Sequence, residues 1–173
     1  MTTILSFTVT GPFINLRWTD QFERYNLYRS TSAGVRGQLI ASNLTVNHYS
    51  FSFHDLCGTL YFTIIPFDDE DRQRQASNQL AIDISLYKIV TSLRSEFNPP
   101  EGNNPQYWFY LVRWANICPG NYRYDIEFSN RRSGTFSETR TGPGEVRWVS
   151  EYEPSSVRII ITHNGLQRIL NLN

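Results

Sequence analysis

Apolar and polar residues alternate with a period of two along most of this chain. Ile14, Leu16 and Trp18 alternate with Asn15 and Arg17, and Tyr49, Phe51 and Phe53 alternate with His48, Ser50, Ser52 and His54. Tyr122, Tyr124, Ile126 and Phe128 do the same against Asn121, Arg123, Asp125 and Glu127. Successive side chains of an extended strand point to opposite faces, so this pattern reads as half-buried β-strands, apolar inward and polar outward. Turn formers punctuate it: Gly11-Pro12, Ser32-Ala33-Gly34, the run 98–105, Pro119-Gly120, Ser133-Gly134, Gly142-Pro143-Gly144 and Asn164-Gly165. No stretch repeats apolar residues at three and four positions, so no helix is expected.

The spacing predicts strands near 4–10, 13–18, 24–30, 38–42, 48–54, 59–67 and 78–84. A second set follows near 87–96, 107–117, 121–129, 135–140, 145–151, 156–163 and 166–172. Seven strands and seven strands suit an all-β chain of two tandem antiparallel β-sandwiches, residues 1–85 and 86–173. Ser85-Leu86-Tyr87 between them has neither Gly nor Pro, which predicts modules packed end to end.

Composition changes the picture only modestly. Hydrophobic content of 40% and aromatic content of 14% supply real cores and exclude a disordered chain. Sixteen basic and sixteen acidic residues cancel, so nucleic acid is disfavoured as a partner. All the basic residues but Lys88 are arginine, and arginine with aromatics is what protein interfaces enrich. No basic n-region precedes an apolar run at the start, and nothing approaches the ~18 apolar residues of a membrane helix. The expected location is therefore intracellular or a virion. The chain starts at Met1 and carries no tag-like segment, which suggests a whole gene product held in an assembly. Cys57 and Cys118 fall in different halves, so no bridge within one sandwich is available; two idle thiols in a reducing compartment are expected.

Four pieces in order resemble a fibronectin type III module across residues 4–84. Ile14-Asn15-Leu16-Arg17-Trp18 resembles its second strand, whose Trp fills the core, and Tyr25-Asn26-Leu27-Tyr28-Arg29-Ser30 resembles its third. Leu56-Cys57-Gly58-Thr59-Leu60-Tyr61 is similar to the tyrosine corner of that family, and Ser77-Asn78-Gln79-Leu80 to the start of the last strand. The resemblance implies that the Tyr61 hydroxyl bonds back to the chain. The corner segment is one residue short, with Cys57 where the family has Pro. The loop from Asp68 to Ala76 has no Arg-Gly-Asp, so no adhesion function transfers. In the second half, Val112-Arg113-Trp114 and Tyr122-Arg123-Tyr124-Asp125-Ile126 echo the same second and third strands; an immunoglobulin-like sandwich or a small jelly roll is expected there.

Candidate chemistry is sparse. Asp68-Asp69-Glu70-Asp71 lacks the spacing and Gly of a calcium loop, and Arg72 and Arg74 follow it, so a self-neutralising loop is the reading. His48 and His54 lie about 20 Å apart along one strand, too far for one metal. No nucleophile elbow, phosphate loop or paired-cysteine motif occurs. Neither catalytic residues, metal nor cofactor is expected. The informative segment is 107–114: Trp108, Tyr110, Val112 and Trp114 share one face, while Tyr107, Phe109 and Leu111 make the other face apolar too. A neighbouring module, a loop, a partner protein or a sugar could cover that second face. Arg131 and Arg132, with Arg140 and Arg147, form a second candidate surface for carboxylate or phosphate, interleaved with Glu127, Glu138, Glu145 and Glu151. Together these lead to a non-enzymatic structural protein contacting other proteins in a large assembly, most concretely a minor capsid component of a virion. A carbohydrate- or receptor-binding adhesion module is the alternative.

Overall fold

The computed structural model describes residues 3–19, 22–99, 101–102, 106–130 and 134–172. Two compact units divide the chain, Met1–Ile84 and Ser85–Asn173. In the first, strands β1 (Leu5–Thr10), β2 (Phe13–Trp18) and β5 (His48–Ser52) form an antiparallel sheet in the order β1-β2-β5. Strands β3 (Arg24–Ser30), β4 (Gln38–Leu44), β6 (Thr59–Phe67) and β7 (Leu80–Asp83) form a second, in the order β4-β3-β6-β7. The alternating residues close the space between the sheets: Ile14, Leu16 and Trp18 from β2 are buried, as are Tyr25, Leu27, Leu60, Phe62 and Ile64 from β3 and β6. Phe51 of β5 meets Phe62 of β6 edge to face at 5.6 Å, ring against ring across the two sheets.

The second unit repeats this plan strand for strand. Its sheets are β12-β9-β8, from Gly144–Ser150, Tyr107–Asn116 and Ile89–Asn98, and β11-β10-β13-β14, from Gly134–Thr141, Arg123–Asn130, Ser156–His163 and Leu166–Leu172. In both units the first, second and fifth strands share one sheet, and the fourth, third, sixth and seventh share the other. A single core draws Tyr110, Val112 and Trp114 from β9, Val146 from β12, Tyr124, Ile126 and Phe128 from β10, and Val157, Ile159 and Ile161 from β13. The chain is therefore all-β with tandem sandwiches, and the second unit has this seven-strand order rather than the eight strands of a jelly roll. Its last hairpin is set by Asn164 and Gly165, both at positive φ (50° and 78°), as a two-residue turn between His163 and Leu166 requires.

The junction is defined, and two expectations change. The 85–87 segment is a 3-10 turn, Ile84–Lys88; Leu86 belongs to the second core, and Arg168 donates to its carbonyl at 2.9 Å while lying over the Tyr87 ring. Tyr61 makes no tyrosine-corner bond among the described residues. Phe62 faces the opposite sheet, so its neighbour Tyr61 points away from it. Finally, Cys57 and Cys118 are not idle thiols: both are disulfide-bonded. Their positions in the sequence do not fix their oxidation state.

Candidate interaction site

Strand β9 carries the segment singled out from sequence. Its inward row runs from half-buried Trp108 through buried Tyr110, Val112 and Trp114. From there a chain of rings crosses the sandwich. Phe97 of β8 packs on Trp108 (4.9 Å between centroids), Trp108 stacks on Tyr110 (6.3 Å), and Tyr110 meets Trp148 of β12 (5.9 Å). Trp148 stacks on Phe128 of β10 (5.0 Å) and on Phe136 of β11 (6.3 Å). Both ends of the chain emerge at solvent. Offset and edge-on ring pairs of this kind add about 0.5–1.5 kcal/mol each beyond their buried area.

These rings gather at the end of the unit where β8, β10 and β12 finish and β9 and β11 begin. Five large apolar side chains there, Phe97, Tyr107, Phe136, Val149 and Tyr152, are 38–57% exposed. The outer face of the β12-β9-β8 sheet continues the patch. Phe109, opposite Glu96 and Val149, is half-buried. Leu111 is only 6% exposed, and its cross-strand neighbours are Arg94 and Arg147. Long arginine stems beside a leucine shield it while their charged heads stay wet.

Of these stacked rings Tyr110 bears a hydroxyl, and burial, with the Glu153 carboxylate nearby, pushes it up to about 12. It stays neutral at ordinary pH. Of the four arginines singled out, Arg140 pairs with Glu138 on β11 and Arg147 with Glu145 on β12, strands of different sheets. Arg131 and Arg132 lie outside the described residues.

At the other end of the unit, Trp114 packs on Tyr124 at 5.2 Å and donates its indole N–H to the Gly142 carbonyl at 2.8 Å. The Tyr124 hydroxyl bonds to the Asn116 side chain. Burial, with a smaller contribution from Tyr122, raises Tyr124 to about 12 against the pull of that bond. A cavity of about 500 Å³ beside it is lined by Tyr122, Arg123, Thr141, Thr162, His163 and their neighbours. His163 is buried there, stacked on Tyr122 at 4.2 Å. The Tyr122 hydroxyl donates to the Cys118 carbonyl at 3.3 Å.

In the first unit the acidic run is tied up by arginines. Arg72 pairs with Asp68 and Glu70, Arg74 with Asp68, and Arg24 with Asp71. Asp68 also accepts the backbone N–H groups of Glu70 (3.1 Å) and Arg72 (2.8 Å), which fixes the loop.

Phe97, Phe128, Phe136 and Trp148 were not singled out from sequence. Alternation places each on an inward row, yet only the pairing of sheets shows that the rows meet.

No family model matches this chain, and no curated protein matches it. Among solved structures it aligns with a chain from a study of the structural basis of neurohormone perception by the receptor tyrosine kinase Torso, at 9% identity and a TM-score of 0.37. The alignment covers 98% of this chain and 72% of that one. At that score the likeness carries no argument about function.

Proposed function

We propose that this chain is a non-catalytic protein that contacts other proteins in a larger assembly, with the aromatic end of the second sandwich as its contact surface. The observation that supports this is the gathering of Phe97, Tyr107, Phe136, Val149 and Tyr152, all partly exposed, around one continuous set of stacked rings. Rings already held by packing lose little entropy on binding, and aromatics dominate the energetics of protein interfaces. Covering a contiguous apolar patch gains about 25 cal/mol per Å² buried.

Both units are read here as fibronectin type III-like modules. The shared strand order supports extending the resemblance to the second, as do the Trp–Tyr core pairs Trp18–Tyr25 and Trp114–Tyr124. Disulfide-bonded cysteines favour an oxidising setting or a particle surface over a reducing interior. A minor capsid component of a virion is the most concrete assembly of that kind.

The test is a binding comparison with native complexes or particles from the source of the protein, together with a glycan array. Wild type should associate, and a Phe136→Ser, Val149→Ser variant with unchanged circular dichroism should not. Specific sugar binding lost on Trp108→Ala would overturn the reading in favour of an adhesion module.

A further inference from the structure

Edge strands present unpaired backbone groups, and stable proteins blunt them with bulges, charges, brevity or cover. Most edges here show such a device. Strand β4 pairs with two register shifts and has Asn43 at φ 54°. Strands β7 and β5 are short, at four and five residues. The N–H of Leu5 in β1 donates to the Asn78 side chain at 2.8 Å. Strands β8, β11 and β12 carry Arg94 and Glu96, Glu138 and Arg140, and Glu145 and Arg147.

Strand β14 is different. Its seven residues, Leu166-Gln167-Arg168-Ile169-Leu170-Asn171-Leu172, pair with β13 in unbroken register, without Gly, Pro or bulge. Its one charge, Arg168, is turned onto the Leu86 carbonyl and the Tyr87 ring. The core-facing Leu166, Leu170 and Leu172 are only partly buried, so a further strand would find apolar surface to cover. On the outer row Ile169 is 55% exposed between Gln167 and Asn171.

The sequence of this edge is complementary to itself. Two copies of β14 laid antiparallel about a two-fold axis through Ile169 place Ile169 opposite Ile169, Gln167 opposite Asn171, Leu166 opposite Leu172, and Arg168, whose head is held at the Leu86 carbonyl and Tyr87 ring, opposite Leu170. The outer row then has an apolar centre flanked by amide pairs, and the inner row has leucines at both ends. A two-fold contact of this kind is closed, so it gives a dimer and not a fibre. We infer that strand β14 is a homodimerisation edge, where a second copy of this chain adds its own β14 to make a continuous eight-stranded antiparallel sheet, four strands from each copy. This surface is separate from the aromatic end, and the inference holds whether or not that end binds a partner.

The experiment measures the mass of the full chain by sedimentation across a wide concentration range, for wild type, Ile169→Lys and Ile169→Cys. Wild type should dimerise with concentration. Ile169→Lys, an exposed substitution that sets two ammonium groups opposite each other, should remain monomeric with unchanged circular dichroism. Directly opposed residues have Cβ atoms roughly 4.5–5.5 Å apart, just beyond the span of a disulfide, so Ile169→Cys should cross-link to itself with a short thiol-reactive bifunctional reagent. A mixture of Gln167→Cys and Asn171→Cys should cross-link as a heterodimer. A wild-type chain that stays monomeric, a dimer that survives Ile169→Lys, or failure of the Ile169→Cys cross-link would each overturn the inference.

Discussion

The ring of Trp114 packs tilted against that of Tyr124 with centroids 5.2 Å apart, and Trp18 meets Tyr25 edge to face at 5.3 Å in the first unit. The same second-strand Trp meets the same third-strand Tyr in both sandwiches. They differ at the indole nitrogen. Trp114 donates to the Gly142 carbonyl at 2.8 Å, whereas the buried Trp18 N–H has no partner among the described residues. Trp114→Phe should therefore destabilise more than Trp18→Phe, by about 1–3 kcal/mol, since only the first removes a made bond. Denaturant midpoints of the two variants measure the difference, and equal shifts would count against it.

Asp68 gives a pH dependence. Desolvation raises its pKa, but hydrogen bonds from the Arg72 backbone and side chain and the charges of Arg72 and Arg74 outweigh it, holding the carboxyl at about 2 against an ordinary 3.8. A depressed carboxylate contributes stability that is present above its unfolded pKa and is lost as pH falls through the folded one. The first unit should thus weaken between about pH 4 and pH 2, and Asp68→Asn should flatten that part of the profile. Thermal midpoints against pH test this.

Tyr110 and Tyr124 give the opposite sign at the alkaline end. Each is raised to about 12, so the folded state holds a proton that the unfolded state releases near 10. Stability from these groups is present below pH 10 and is lost as pH rises from 10 towards 12. Ultraviolet titration of tyrosinate should show a late-ionising class that shrinks in Tyr110→Phe and again in Tyr124→Phe.

Gly37 sits at φ 76° in the turn before β4, where an added Cβ would come within 2.2 Å of the Arg29 carbonyl oxygen. Backbone cannot yield as a flexible side chain would. Gly37→Ala should cost more than ~1 kcal/mol, read from the denaturant midpoint, while Gly34→Ala, with open space around it, should cost less.

Thiol titration in denaturant should find no free cysteine before reduction and two after it, since both cysteines are disulfide-bonded. Free thiols in the oxidised protein would contradict this.

Much of the fold was legible where alternation and turns agreed. The strands expected at 59–67, 156–163 and 166–172 are found with those bounds, the last two meeting at Asn164-Gly165. The ends shift where side chains take over backbone duties. Strand β7 starts at Leu80 rather than 78, because the Asn78 side chain bonds the Leu5 backbone and Ser77 bonds that of Ile64. Strand β8 runs on to Asn98, because Phe97 and Asn98 pair with Trp108 and Tyr107. The Tyr61 expectation failed because Phe62, not its neighbour, takes the row that faces the opposite sheet. In the candidate site Trp108 and Tyr110 were readable from one strand. Phe136 and Trp148 were not, because their stacking joins edge strands of two sheets, and pairing between sheets leaves no local period.

The central claim is that the aromatic end of the second sandwich holds this protein in an assembly. The most direct measurement is co-sedimentation of the tagged full chain with complexes from its native source, comparing wild type with Phe136→Ser, Val149→Ser. The account predicts that wild type travels with a large complex and the folded variant stays at the top of the gradient. Equal incorporation of the two, or wild type sedimenting alone, would contradict it.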